Sequence, residues 1–321
     1  MIWLTWRQER FEALLLALTL AAGAAVLIWT GTQVWGSFDH LGVAPCLTGL
    51  GGGSCTDTIS SFTVESASQQ QVLSWLAYLP TFLGVLLAAP IVLEIEDGSH
   101  RLVWTQSVTR GRWVATRAGL PLVVGALGVA LISFLGSWAM QPTDRVVGPM
   151  HPGPFDLQGT VPVAYMVVAF AVTLFVGVIW RRALAGLGTG ITAGIALHFA
   201  IQQWLRPHLM APVTKLWVGG PAPFKPQDWL LSGGETQVYD YVNARGQHFS
   251  LDQVTGLCGQ ATGQNKDAWG ACLRAHRLGE LIQYQPADRF WAFQTLESLI
   301  VLAIAVTLLA SSAWWLVKKT S

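Results

Sequence analysis

Long stretches without a charged side chain are the feature of this sequence that most constrains its fold. Only 12% of the residues are Asp, Glu, Lys or Arg, about half the fraction that a soluble globular protein usually carries. Six runs contain none of these residues: 13–38, 66–93, 118–143, 157–180, 183–205 and 298–317. Because a helix needs roughly 20 apolar residues to cross a bilayer core, the pattern predicts an all-α multi-pass membrane protein with six transmembrane helices. It nearly excludes a soluble enzyme.

The cations between these runs predict the orientation of the helices. If the first helix starts in the cytoplasm, both termini are cytoplasmic, and the inner segments hold ten Lys and Arg residues against one in the short outer loops. The inner set is Arg7, Arg10, Arg101, Arg110, Arg112, Arg117, Arg181, Arg182, Lys318 and Lys319, and the outer one is Arg145. The other eight lie in one long segment, 206–289, and long segments cross a membrane largely regardless of charge.

Two properties of the whole chain exclude further classes of protein. The net charge of +1 provides no basic field for nucleic acid. The first apolar run has its small residues, 21–25, in its middle rather than after it, which favours an uncleaved helix over a signal peptide.

The polar segments divide the chain into four predicted regions. Residues 1–11 form an interfacial amphipathic helix, residues 12–205 hold transmembrane helices 1 to 5, residues 206–290 form an external subdomain, and residues 291–321 are helix 6 and a cytoplasmic tail. The first outer loop, 31–71, is rich in Gly, Ser and Thr. Inside the external subdomain we expect a hairpin of 237–242 with 247–251 and an amphipathic stretch at 271–283.

All four cysteines, Cys46, Cys55, Cys258 and Cys272, lie in segments assigned to the outside. The outer side of a membrane is oxidising, and the cysteines separate by loop into two pairs. The sequence favours the disulfides Cys46–Cys55 and Cys258–Cys272, the second of which would close the external subdomain. Pairing between the loops and free thiols are the alternatives. A zinc site is disfavoured because neither pair has metal-knuckle spacing.

The densest polar cluster on the inner side follows the second helix, in the cytoplasmic loop 94–112. Its candidate functional residues are Glu94, Glu96, Asp97, Gly98, Ser99, His100, Arg101, Trp104, Arg110 and Arg112. Ser99 can cap a short helix that leaves Trp104 half exposed, which suits docking of a cytoplasmic partner. The alternative is a solvated loop with an interfacial Trp.

Two ionisable residues lie within the predicted spans. His198 lines a pathway or is a neutral imidazole hydrogen-bonded between helices. Glu297 must be paired, exposed to water or protonated, and a permanent hydrogen bond to a neighbouring helix is slightly favoured over a role in gating or cation contact. The candidate pathway residues include these two and are otherwise aromatic or weakly polar: Tyr78, Phe82, Thr189, Thr192, His198, Phe199, Gln202 and Glu297.

The motifs of several chemistries are absent from the sequence. None of the five lysines follows a Gly, so the chain has no G-x-x-x-x-G-K-[ST] phosphate loop, and the LSGGE pentapeptide at 231–235 is interpreted as a chance Gly turn. No G-x-S-x-G or H-E-x-x-H motif is present, which disfavours a membrane-embedded hydrolase. The seven histidines are scattered and predict no metal site.

Three stretches together resemble one family. They are WLTWRQ at 3–8, EIEDGSHRLVWTQSVTRGRW at 94–113, and RFWxFQxxE at 289–297. With six spans, an interfacial helix and a large external segment between helices 5 and 6, the chain resembles the permease subunit of an ABC exporter with the type V fold, and the motifs are similar to those of actinobacterial members. The size and disulfide content of the external segment depart from many bacterial relatives.

The resemblance implies a function and a set of partners. The loop 94–112 would be the coupling helix that rests on a separate ATPase subunit, which would bind ATP and Mg²⁺, and the chain itself would hold no cofactor. Two permeases, a homodimer, and two ATPases would export an amphipathic drug, lipid or peptide across the bacterial plasma membrane by alternating access. An ion-coupled transporter or channel is the alternative within transport, and a non-transporting sensor or anchor is the alternative outside it.

Overall fold

The computed structural model describes residues 2–48, 55–98, 109–218, 222–232, 240–243, 245–259 and 266–318, with side chains from residue 13 onward except those of residues 110, 266 and 267. Six helical segments of this part are long and apolar enough to cross a membrane, and these confirm the multi-pass helical class. They are Ala13–His40 (span 1), Ala67–Glu96 (span 2), Gly111–Val146 (span 3), Val161–Trp180 (span 4), Ala183–His208 (span 5) and Ala287–Lys318 (span 6).

The individual helices subdivide some of these spans. Their bounds are Ile2–His40, Val43–Leu47, Cys55–Glu65, Ala67–Leu76, Leu79–Glu96, Arg110–Val146, Pro154–Leu157, Val161–Trp180, Ala183–Ala200, Leu251–Cys258, Lys266–Ala275 and Phe290–Lys318. Span 5 continues beyond Ala200 as a π-helical turn, Ile201–Leu205, and a 3₁₀ turn, Arg206–His208. Residues 2–11, the predicted interfacial helix, are helical and continuous with span 1.

The chain divides into two compact units. The first contains residues 1–142, 152–206 and 291–321, and therefore nearly all of the six spans, and the second contains residues 143–151 and 207–290. The second unit thus covers the predicted subdomain 206–290 except for residue 206, and it also contains the last turn of span 3 and the residues that follow it.

A stripe of small residues explains how spans 4 and 5 approach each other. Span 5 has a buried glycine at every fourth position, Gly186, Gly190 and Gly194, and buried His198 follows at the same spacing. Small residues at this spacing let membrane helices pack closely. A Cβ at Gly186 would lie 2.9 Å from the carbonyl oxygen of Thr173 in span 4. His198 continues the same face, so this packing carries it into the interior of the bundle.

The segment between spans 1 and 2, expected to be a loop, is largely helical. Span 1 continues to His40, and the helix Cys55–Glu65 packs back against it through the buried rings of Phe38 and Phe62, whose centroids are 5.7 Å apart in an edge-on arrangement. Ser37 donates a hydrogen bond to Glu65 over 2.7 Å. The disulfide Cys46–Cys55 joins the start of this helix to the end of the short helix before it. The packing of these two buried rings therefore stabilises helices in a segment whose Gly, Ser and Thr content predicts a loop.

The second unit contains an antiparallel sheet of five strands. The strands are β1 (Val213–Trp217), β2 (Trp229–Ser232), β3 (Tyr241–Asn243), β4 (His248–Phe249) and β5 (Leu278–Gln285). They follow the order β1-β5-β3-β4, and β2 also pairs with β5. The central strand β5 alternates buried and less buried residues over much of its length, as expected of a strand with one face on a core.

Two predictions for this segment are refined by the sheet. The expected hairpin forms through Tyr241 opposite Phe249, although residues 237–239 lie outside the described part. The amphipathic stretch at 271–283 belongs to two elements rather than one, because Arg277 adopts a positive φ of 54°, which ends the helix before β5 begins. The disulfide Cys258–Cys272 links the two helices that flank this core.

Candidate functional site

A buried charge cluster joins three parts of the first unit. Arg206, at the end of span 5, is fully buried and lies between Asp156 and Glu297. Its Nε and Nη2 each donate to the Glu297 carboxylate over 2.8 Å. Its Nη1 donates to Asp156 Oδ2 over 3.2 Å, and Nη2 donates to Oδ1. A planar guanidinium suits such two-sided, bidentate pairing.

Aromatic rings enclose the cluster. The guanidinium carbon of Arg206 is 4.1 Å from the centroid of the Phe155 ring, a cation–π distance. Tyr165 of span 4 donates a hydrogen bond to Glu297 Oε1 over 3.0 Å. Glu297 therefore accepts from a tyrosine as well as from a guanidinium, and the lone carboxylate expected from the sequence is paired on both oxygens.

The electrostatics of Asp156 follow from this environment. Burial raises the pKa of its carboxyl, but the positive charge of Arg206 and the interaction with His198 outweigh burial and hold the pKa well below its ordinary range. Asp156 is therefore an anion at any physiological pH. The cluster contains two carboxylates and one guanidinium, and the imidazole of His198 lies beside Asp156.

The segment that carries Asp156 is fixed to span 6 by one side chain. Gln294 Oε1 accepts from the backbone N–H groups of Thr160 and Val161, each over 3.0 Å, and its Nε2 donates to the carbonyl of Phe155 over 2.9 Å. Gly159 has a positive φ of 68°, and a Cβ there would lie 2.6 Å from Gln294 Oε1. Glycine is thus required at this position for two reasons, the backbone conformation and the close approach of Gln294.

His198 lies between two tyrosine rings at the edge of the cluster. The imidazole stacks on Tyr165 with centroids 4.4 Å apart and lies 4.9 Å from the ring of Tyr78. Its Nε2 is 3.6 Å from Asp156 Oδ1, whereas its buried Nδ1 has no hydrogen-bond partner among the described residues. His198 is therefore stacked between aromatic rings and also borders a cavity, and its role in a pathway stays a prediction.

That cavity has a volume of about 280 Å³ and brings together part of the predicted pathway. Tyr78, His198 and Gln202 line it, together with Asp156. The other predicted pathway residues lie elsewhere: Glu297 is fully buried in the charge cluster, while Phe82 and Phe199 are 46% and 51% exposed on the surface of the chain. Thr192 is exposed and donates to its own helix at Gly188, and Thr189 is half-buried.

The opposite end of the same unit carries a group of exposed Arg and Lys side chains. The C-terminal ends of spans 2, 4 and 6 and the first turns of spans 3 and 5 share one apolar cluster that includes Ile95, Trp113, Val178, Ala183 and Leu316. Exposed charged side chains surround it, among them Arg112, Arg181, Arg182 and Lys318. This arrangement agrees with the orientation predicted from the cation count, in which all these residues are cytoplasmic.

Two glutamates of the predicted loop 94–112 join helices at this cationic end. Glu94 forms an ion pair with Arg117 of span 3, and Glu96 Oε2 accepts from the backbone N–H of Ala183, at the first turn of span 5, over 2.7 Å. Asp97 and Arg112 are exposed and Gly98 has a positive φ of 70° where the helix ends. Ser99, His100, Arg101 and Trp104 lie outside the described residues, as does the side chain of Arg110.

A comparison with protein families identifies the architecture. A family model described as ABC-2 membrane transporter related matches residues 17–206. The chain belongs to this family. No curated protein and no solved structure matches the chain.

The family assignment covers spans 1 to 5 of this ABC-2 membrane transporter relative. The match includes the loop 94–112, Asp156 and His198 and ends at Arg206, whereas Glu297 lies beyond it. Permeases of the ABC-2 type are membrane subunits that generally pair with a separate ATPase subunit. The missing phosphate loop agrees with that division of labour.

Four residues of the site were not predicted from the sequence: Asp156, Tyr165, Arg206 and Gln294. Asp156 and Arg206 each border a charge-free run, a position that indicates a loop rather than the interior of a bundle. A usable signal was present, because a carboxylate inside a span requires a cation, and Arg206 is the cation next to the outer end of a neighbouring span.

Proposed function

We propose that this ABC-2 relative is the membrane-spanning subunit of an ATP-driven exporter with the type V fold. Two copies would associate with two ATPase subunits in the bacterial plasma membrane, and the ATPases would bind ATP and Mg²⁺. The complex would move an amphipathic drug, lipid or peptide out of the cell by alternating access. In this arrangement the second unit, residues 143–151 and 207–290, faces the outside.

The observation that carries the proposal is the hydrogen bond between Glu96 and Ala183. An acceptor at the first turn of a helix caps its free N–H groups and favours the positive end of the helix dipole. Here the acceptor belongs to span 2, while the capped helix is span 5. The inner ends of these two spans are therefore linked directly.

The hydrogen bond between Glu96 and Ala183 lies at the start of the loop 94–112, and it would therefore couple movement of the loop to movement of the spans. Glu96 immediately precedes residues 97–109 of the loop, so a force on this loop would reach spans 2 and 5 together. The ion pair of Glu94 with Arg117 extends the connection to span 3. An ATPase that pushes on the loop would thus move three spans as a group.

Co-purification with ATP turnover tests the proposal. The tagged chain, expressed with its native operon neighbours and purified in mild detergent, should retain an ATPase subunit with a phosphate loop. Replacing Trp104→Ala in the loop should lower ATP turnover of the complex severalfold, and Trp29→Ala, an exposed span 1 residue, is the matched control. The proposal is contradicted if the chain retains no ATPase, or if Trp104→Ala leaves ATP turnover of the complex unchanged.

The alternative of an ion-coupled transporter or channel would use the ionisable residues His198 and Glu297 within spans 5 and 6. It predicts substrate movement in proteoliposomes that contain this chain alone and an ion gradient. The exporter proposal predicts none under those conditions, and movement only when the ATPase and ATP are present. A sensor or anchor predicts no movement under either condition.

A further inference from the structure

We propose that the cavity beside Asp156 and His198 binds a protonated organic amine with at least one N–H group. The conclusion that such amines are the transported substrates rests on the proposed exporter function. The binding of an amine to the cavity does not. The cavity lies within the first unit, and its chemically informative lining residues are Gln71, Trp75, Tyr78, Asp156, His198 and Gln202.

The charge of the wall selects a cation. Asp156 lines the cavity with no Lys or Arg among the described lining residues, and it belongs to a cluster that has two carboxylates for one guanidinium. A buried anionic site that lacks a full counter-charge attracts a cationic ligand strongly, because the low dielectric of the interior screens it weakly.

The imidazole of His198 selects a cation that can donate a hydrogen bond. Its Nε2 lies 3.6 Å from Asp156 Oδ1, and a neutral imidazole that keeps its proton on this nitrogen, toward the carboxylate, has Nδ1 as an acceptor. Nδ1 is buried without a partner in the described part of the chain, and its side chain is only 2% exposed. An unsatisfied buried acceptor is costly, and an ammonium N–H in the adjoining cavity would satisfy it.

Aromatic and amide groups complete a site for an alkylammonium. Trp75 and Tyr78 form one wall with ring centroids 6.4 Å apart, and faces of this kind attract cations. Gln71 and Gln202 add amide oxygens that accept hydrogen bonds. At about 280 Å³ the cavity is at the lower limit of small-molecule sites, so it fits the amine head of a larger molecule rather than the whole molecule.

Equilibrium binding to the purified full-length chain in lipid nanodiscs tests the inference without the ATPase. The probes are 2-phenylethylammonium, its N,N,N-trimethyl derivative and the neutral 2-phenylethanol. We expect saturable binding of the primary ammonium at one site per chain. The trimethyl derivative should bind more weakly and the alcohol at least about tenfold more weakly, as expected of a lost charge-assisted hydrogen bond.

Variants separate this site from unspecific partitioning into lipid. His198→Phe keeps an aromatic ring between the two tyrosines and removes Nδ1, and it should weaken binding of the primary ammonium about tenfold while leaving the trimethyl derivative little changed. Gln202→Leu should weaken binding, whereas the neighbour Gln203→Leu, exposed and outside the cavity, should not. If the alcohol binds as tightly as the ammonium, or if His198→Phe retains wild-type affinity for the ammonium, the inference is wrong.

These outcomes are independent of the proposed function. A chain that binds no ammonium but retains an ATPase whose turnover depends on Trp104 refutes the amine site and leaves the exporter intact. Binding of the ammonium by a chain that retains no ATPase supports the site and refutes the exporter.

Discussion

The two ends of the six-span unit use charge in opposite ways. At one end Arg112, Arg181 and Arg182 are exposed around an apolar cluster. At the other end Arg206 is fully buried between Asp156 and Glu297. A buried ion pair is weak evidence for stability by itself, but it is strongly destabilising to break. The buried end therefore fixes the arrangement of the helices, while the exposed end is available to water and to a partner.

The largest effect should follow from removing the shared cation. Arg206→Gln leaves two buried carboxylates facing each other, and we expect a loss of about 3–5 kcal/mol, seen as a lower thermal transition and aggregation on gel filtration in detergent. Arg182→Gln, at the exposed end, is the control and should change stability by less than about 0.5 kcal/mol. Equal effects of the two substitutions would abolish the contrast between the two ends.

The next effect concerns the anchor of the segment that holds Asp156. Gln294→Leu removes the acceptor of two backbone N–H groups and the donor to Phe155, which should cost about 2–3 kcal/mol. The neighbouring Thr295→Val removes a hydroxyl that donates within its own helix at an exposed position and should be nearly neutral. The same thermal unfolding assay measures both. A neutral Gln294→Leu would mean that the segment is held by its other contacts.

A smaller effect on stability, with a larger one on function, is expected at the exposed end. Glu96→Ala removes a helix cap and should cost about 1 kcal/mol, but it should uncouple ATP turnover from substrate in the reconstituted complex. Asp97→Ala, the adjacent exposed residue, is the matched control. Glu96→Ala with normal substrate-stimulated turnover would show that the link between spans 2 and 5 is not used in coupling.

The smallest effect is the response of the buried end to pH. The pKa of Asp156 is depressed, so its contribution to stability is present above the unfolded pKa of about 3.9 and is lost only as pH falls below that value toward the folded pKa. The difference in thermal stability between wild type and Asp156→Asn should therefore not narrow as pH falls from 8 to 5. A difference that already narrows between pH 7 and pH 5 would contradict the assigned charge of Asp156.

The architecture was largely predictable, because spanning a bilayer imposes a length and a composition that are visible in the sequence. Six spans, the cationic end and the two disulfide pairs follow from charge-free runs, from Arg and Lys positions and from cysteine spacing. The importance of loop 94–112 remains a prediction for its residues 99–108, which lie outside the described part of the chain.

The chemistry of the buried end was less predictable, because it depends on contacts between residues far apart in sequence. Glu297 and Arg206 are 91 positions apart, and nothing local in the sequence connects them. Asp156 was assigned to a loop because it borders an apolar run, yet the packing of spans 4, 5 and 6 buries it. The five-stranded sheet was expected only as a hairpin, because its central strand β5 pairs with segments whose short lengths give little periodicity.

The most direct test of the account asks which end of the six-span unit contacts the ATPase. Single cysteines introduced as Asp97→Cys and Arg182→Cys at the exposed cationic end, and as Ser68→Cys at the other end of span 2, would be labelled in intact complexes with benzophenone-maleimide and irradiated, so that the cross-link needs no thiol on the ATPase subunit. The account predicts cross-links to the ATPase subunit from the first two positions and none from Ser68→Cys. Cross-links from Ser68→Cys, or none from the cationic end, would contradict it.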